Sequence, residues 1–123
     1  MKKNVQRVER KLHTIDASGK ILGRLATQAS VLLQGKHKPC FQKHTDVGDS
    51  VLVTHVSKIA FTGNKALNKL YYRHSGYLGN LKKISLKESM EKKPSNVLRI
   101  AISGMLPKNR LKSRMLRRLT IKD

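Results

Sequence analysis

The chain has 123 residues, 38% of them apolar, and carries 27 Lys and Arg against 7 Asp and Glu, a formal charge of +20. The length suits a single domain. No apolar run is long enough to span a bilayer, and residues 1–20 lack the apolar block and small-residue cleavage site of a secretory signal. One cysteine, Cys40, excludes an internal disulfide framework. So large a charge on so small a body repels itself and calls for a polyanionic partner, with nucleic acid the first choice.

Residues 1–11 form a basic arm containing Lys2, Lys3, Arg7, Arg10 and Lys11. Residues 12–17 (LHTIDA) predict a short strand, and Ser18-Gly19 a turn. Residues 20–34 predict the clearest helix, because Leu22, Leu25, Ala26, Ala29, Leu32 and Leu33 recur at three- and four-residue spacing on one face. Gly35 stops it in the left-handed conformation. Gly23 inside the helix costs ~1 kcal/mol relative to Ala, and a close helix–sheet contact is the expected reason for it. Residues 36–48 have no periodicity and predict a long basic loop, a class of segment that is usually functional.

Residues 50–56 (SVLVTHV) predict a strand buried on both faces of a parallel sheet. Residues 59–62 and 69–74 predict two more short strands, and residues 75–80 a flexible loop with two glycines. Ser85 and Glu88 match a capping box that opens a short helix to about Lys92. Pro94 starts the next helix, with Val97, Leu98, Ala101, Ile102 and Met105 as its apolar stripe. Asn109 is expected to cap a last basic helix, and Thr120-Ile121 to finish as a strand. The expected fold is α/β, three-layered, with helices on both faces of a small, largely parallel, mixed central sheet. The expected organisation is one RNA-binding domain over residues 1–123, with a basic C-terminal segment at 108–123.

The acids are mostly isolated, and none interrupts the bases from Lys108 to Lys122. Surface pairing therefore cannot neutralise the chain, because salt-bridge networks need both signs. Catalytic and metal templates fit poorly. Gly19-Lys-Ile-Leu-Gly23 fails the spacing of both phosphate-binding glycine motifs. His37, Cys40 and His44 are too few ligands, around a proline, for structural zinc. No nucleophile elbow accompanies the scattered His and Ser residues. The segment from Thr62 to Gly76 is more informative, since it interleaves Tyr71, Tyr72, Arg73 and His74 with glycines. Aromatic rings there can stack on unpaired bases, and glycines let the backbone approach the sugar–phosphate chain. The two tyrosines are expected to alternate, one in the core and one outward.

An ordered series of blocks runs along residues 12–121: Asp16-Ala-Ser-Gly-Lys20 with Leu22-Gly-Arg-Leu-Ala-Thr27, Gly35-Lys-His-Lys38, His44-Thr-Asp-Val-Gly-Asp49, Thr62-Gly-Asn-Lys65, Tyr71-Tyr72, His74-Ser-Gly76 and Gly104-Met-Leu-Pro-Lys108, then Arg114 and Arg118-Leu119. In this the chain resembles the bacterial-type L-thirteen family of large-subunit ribosomal proteins. One departure is His13, where bacterial relatives often have an aromatic residue. The resemblance implies a four-stranded sheet and a non-enzymatic constituent of the large subunit, bacterial or organellar, that binds its RNA and acts early in assembly. It implies RNA-facing positions at Lys36, His37, Lys38, His44 and Thr45 in the loop. Thr62, Gly63, Asn64, Lys65, Arg73, His74 and Gly76 join them in the region that follows, with Tyr72 as an outward ring. Lys108, Arg110, Arg114, Arg117 and Arg118 complete the set at the end. The implied partners are ribosomal RNA and neighbouring ribosomal proteins, with no cofactor, metal, membrane or small-molecule substrate. The rival reading, in which the free protein represses a messenger RNA, would use the same surface.

Overall fold

A computed structural model of the chain describes residues 8–123; the predicted arm falls mostly outside them. Its sheet has three parallel strands, β1 (Leu12–Asp16), β2 (Ser50–Thr54) and β5 (Leu119–Ile121), in the order β1-β2-β5. A parallel bridge between Ile21 and Ala60 continues the β1–β2 ladder beyond the strand ends. This single bridge is what residues 59–62 contribute, so the sheet has three full strands rather than the four expected. The remaining strands, β3 (Leu70–His74) and β4 (Leu81–Ser85), pair antiparallel as a separate hairpin. Residues 81–85 (LKKIS) had no predicted strand. Two lysines hide their alternation, and pairing with β3 supplies what their own pattern does not.

Among the described residues five α-helices complete the α/β fold: α1 (Leu22–Gln34), α2 (Lys65–Asn68), α3 (Leu86–Lys92), α4 (Pro94–Met105) and α5 (Leu111–Arg117). Register sets His13, Val51 and Leu119 side by side, and then Ile15, Val53 and Ile121. This face carries the core. Val51 and Val53 are fully buried there against Leu25, Ala29 and Leu33 of α1, Val97, Leu98 and Ile102 of α4, and Met115 of α5. Alternate residues point the other way, and Leu12 is 66% exposed with Thr14 and Thr120 exposed beside it. The core helices therefore cover one sheet face among the described residues, where two were expected. The strand order gives the reason. Both crossovers, β1 to β2 and β2 to β5, step in the same direction, and right-handed connections that step the same way place their helices on the same side.

Most local signals act as expected. Gly35 closes α1 at φ +81°. The Ser85 hydroxyl accepts from the Glu88 N–H at 3.3 Å, while the Glu88 carboxylate turns to Lys92 rather than back to Ser85. Pro94 opens α4. The Asn109 side-chain Oδ1 accepts from the N–H groups of Leu111 and Lys112, at 3.1 and 3.2 Å, ahead of α5. Gly23 is the exception. A Cβ placed there would meet nothing within 4 Å, so no close packing requires it. It lines instead an open cleft of about 850 Å³ between α1, α4 and residues 61–69.

Candidate nucleic-acid interface

The loop between α1 and β2 is fixed by an internal charge network centred on Asp46 and Asp49. The Arg118 guanidinium grips Asp46 bidentately, Nη1 to Oδ2 and Nη2 to Oδ1, both at 2.7 Å. It also donates to the Leu33 carbonyl at 3.0 Å, placing a cation at the C-terminal end of α1, where the helix dipole favours one. Arg10 reaches in from the N-terminal side and donates to the carbonyls of Gly48 and Asp46, both at 3.2 Å. Gly48 lies against α1 so closely that a Cβ would fall 1.7 Å from the Leu33 carbonyl oxygen. Only glycine fits there.

Asp49 is fully buried. Lys38 Nζ lies 2.6 Å from its Oδ1, and the Lys11 N–H donates to the same oxygen at 3.2 Å. Its Oδ2 faces Nε2 of His13 at 2.8 Å and Nε2 of His37 at 2.9 Å. Burial by itself would raise the Asp49 carboxyl. The hydrogen bonds from Lys38, His13, Lys11 and His37 outweigh it and hold the group well below the usual carboxylate range. Lys38 also donates to the carbonyls of Glu9 and Val47, at 2.8 and 2.9 Å. The same network therefore joins the loop to the arm and to the first strand.

This geometry divides the residues that the sequence put on the RNA surface. Lys38 and Arg118 are half-buried with their charged ends turned inward, and His37 is turned to Asp49. Thr45 is half-buried and donates to the Gln42 carbonyl. Lys36, His44, Thr62, Gly63, Asn64, Lys65, Tyr72, Arg73, His74, Gly76, Lys108, Arg110, Arg114 and Arg117 are all exposed. None of the cations in that group forms an ion pair among the described residues.

Two zones carry several of the candidate cations, while other exposed cations such as Arg24, Lys87 and Arg99 lie on other elements. In the first, the loop and the C-terminal segment share a cleft lined by Lys36, Lys43, Thr45, Asn109 and Met115. The second is the β3–β4 hairpin, held at its base by Leu86, which is fully buried and donates its N–H to the Lys69 carbonyl. The hairpin packs against α2 and α3 and presents Arg73, His74, Lys82 and Lys83 to solvent. Its tyrosines alternate as expected. Tyr71 packs on the core, where burial raises its phenol pKa, while Tyr72 is exposed with the Lys83 ammonium 5.9 Å from its ring centre.

Sequence reasoning passed over Tyr77 and Leu78 at the hairpin tip. Tyr77 is 75% exposed and Leu78 fully so. The signal was two large apolar residues between Gly76 and Gly79, both of which take positive φ. Asp46 and Asp49 were read as isolated acids, Asp46 only as a neighbour of the His37, Cys40 and His44 group. Their signal was two carboxylates flanking Gly48 inside a basic loop. The groups considered for catalysis, Ser50 with His13, His55 and His74, form no relay among the described residues: His13 turns to Asp49, His55 Nδ1 lies 3.1 Å from Asp16, and His74 Nδ1 accepts from the Gly76 N–H at 3.0 Å.

Comparison with known proteins agrees with these features. Residues 10–122 match the family described as ribosomal protein L13. The protein "Large ribosomal subunit protein uL13" of Clostridioides difficile (strain 630) is 52% identical over 114 residues, 93% of this chain and 80% of the relative. The protein of the same name from Chloroflexus aggregans is 54% identical, with the same coverage of each chain. That of Symbiobacterium thermophilum is 48% identical over 118 residues, 96% of this chain and 82% of the relative. With a family match over nearly its whole described length and bacterial relatives at about half identity, the chain belongs to the ribosomal protein L13 family, whose members are structural, non-enzymatic components of the ribosome.

Proposed function

We propose that this protein binds large-subunit ribosomal RNA in the cytoplasmic ribosome and supports early assembly of that subunit. The observation that carries the reading is the division of charge. The acids near the loop are satisfied internally by Lys38, Arg10 and Arg118, which leaves Lys36, Lys65, Arg73, Lys108, Arg110, Arg114 and Arg117 exposed and without carboxylate partners among the described residues. Each phosphate they neutralise releases condensed counterions, so affinity falls steeply with salt. The names of the bacterial relatives place those proteins in the large subunit, which makes its RNA and the proteins beside it the natural partners here.

Two kinds of contact support specificity. The fixed loop and the C-terminal segment offer cations on a rigid frame, and the hairpin offers Tyr72 and Tyr77 for stacking on unpaired bases. RNA is read mainly through its shape and its splayed bases. The test compares the purified protein on large-subunit RNA transcripts and on duplex DNA of equal length across a salt series. The reading expects preference for the folded RNA, and a flatter salt dependence when Lys108, Arg110, Arg114 and Arg117 are all replaced by alanine. Equal affinity for duplex DNA, or an unchanged salt slope in the quadruple variant, overturns it. A messenger transcript that outcompetes the ribosomal RNA would move the function to translational repression.

A further inference from the structure

We infer that His13, His37 and Asp49 form a binding site for a divalent transition-metal ion such as zinc. The three side chains come from β1, from the turn after α1 and from the residue before β2, and their ligating atoms lie within 4.8 Å of one another. Two imidazoles and a carboxylate are donors suited to zinc and its neighbours. Ligand atoms about 2.0 Å from a tetrahedral ion stand about 3.3 Å apart. The separations of 2.8 and 2.9 Å between Asp49 Oδ2 and the two Nε2 atoms open to that spacing with small side-chain movements. The rings stand nearly perpendicular, at 84°, so both nitrogens can address one point without the rings stacking.

The surroundings hold the carboxylate for this role. Lys38 and the Lys11 N–H occupy Oδ1, which leaves Oδ2 facing the two rings. Such outer contacts orient metal-binding carboxylates and imidazoles in general. With neutral imidazoles, each ring carries its proton on Nδ1 and coordinates through Nε2. Both histidine side chains are 32% exposed, so an ion can enter and keep a water in its open position. Asp49 and Lys38 cancel in charge, so a dication arrives in a neutral site with an ammonium nearby. That repulsion makes binding weaker than at thiolate sites. Bound there, the ion ties the first strand, the basic loop and the second strand together at one point. The site differs from the His37, Cys40 and His44 grouping weighed from sequence, because Cys40 is exposed and lies outside the cluster.

The experiment uses the untagged full chain with zinc chloride and with cobalt chloride alone. Calorimetric titration is expected to give one equivalent of zinc, and zinc is expected to raise the thermal midpoint. Cobalt is expected to show weak visible bands without thiolate charge transfer. His13→Phe, checked for folding by circular dichroism, is expected to lose more than about 100-fold in affinity, since even outer-shell partners are worth about 10–100-fold. It also loses the thermal shift. Cys40→Ser is expected to bind as the parent does. If the parent takes up no metal, if binding survives His13→Phe at parental affinity, or if it disappears in Cys40→Ser, the site is refuted and the three residues are a hydrogen-bonded network only.

Discussion

Replacing Arg118 by alanine removes a guanidinium whose side chain is 13% exposed, paired with an Asp46 side chain that is 11% exposed. The loss leaves Asp46 with Arg10 at 3.6 Å as its remaining ion-pair contact, and leaves the Leu33 carbonyl at the end of α1 without its 3.0 Å donor. Breaking a buried pair by deleting one partner costs about 3–5 kcal/mol. Against a total stability of about 5–15 kcal/mol for a natural domain, that is a large fraction, and for a chain of this size it corresponds to a drop in Tm of roughly 10–20 °C. Arg118→Lys is expected to recover only part of the loss, because an ammonium cannot make the two parallel bonds. Arg114→Ala is the control, an exposed residue without an ion pair; it is expected to change stability by less than about 0.5 kcal/mol. Urea titration measures the stability of all three variants, and RNA binding is followed across a salt series at a temperature where each is folded. On the proposed single phosphate contact, Arg114→Ala is expected to lower the salt slope by about 0.7–0.9, whereas Arg118→Ala is expected to leave the slope unchanged. An Arg118→Ala protein that loses less than about 1 kcal/mol and shows the slope change expected of Arg114→Ala would refute the internal role of Arg118.

Gly48→Ala puts a methyl group 1.7 Å from the Leu33 carbonyl oxygen, which is backbone and cannot swing away; the expected cost by denaturant titration is about 3 kcal/mol or more, and a cost below about 1 kcal/mol would contradict this packing. Asp49 gives a pH dependence in chelated buffer. Its carboxyl is lowered in the folded state, so its stabilising contribution is present above the unfolded value of about 3.9 and is lost as pH falls through and below it. The stability of Asp49→Asn is therefore expected to fall less steeply on acidification, and equal acid limbs in the two proteins would contradict it. Tyr72→Ala combined with Tyr77→Ala removes two exposed rings. It is expected to change stability by less than about 1 kcal/mol, and to weaken binding to RNA containing unpaired bases by about 1–3 kcal/mol per stacked ring, measured by filter binding.

Helix α1 was legible from sequence because its apolar spacing and its Gly35 stop are local properties, as are the Ser85 cap, the Pro94 start and the central β2 strand. The excess of positive charge was legible too, because 27 bases against 7 acids cannot be neutralised within the chain, whatever its fold. Layering was not legible. Whether β2 is covered on one face or two depends on the direction in which successive crossovers step, and a run such as SVLVT reads the same either way. Residues 59–62 read as a strand by composition, yet only Ala60 finds a partner. Residues 81–85 carried no predicted strand, yet they pair along their whole length with β3.

Among the candidate site residues, the sequence picked out the basic segments but could not divide their cations into inward and outward. Lys36 and Lys38 are two residues apart and chemically alike. One is exposed, while the other lies 2.6 Å from a buried carboxylate. Arg114 and Arg118 are one helical turn apart, and only Arg118 meets an acid, 72 residues earlier in the chain. Local pattern carries no record of such a partner. Composition set the excess of positive charge, and tertiary contact across tens of residues decided which cations stay exposed, because a buried carboxylate must be paired where it stands.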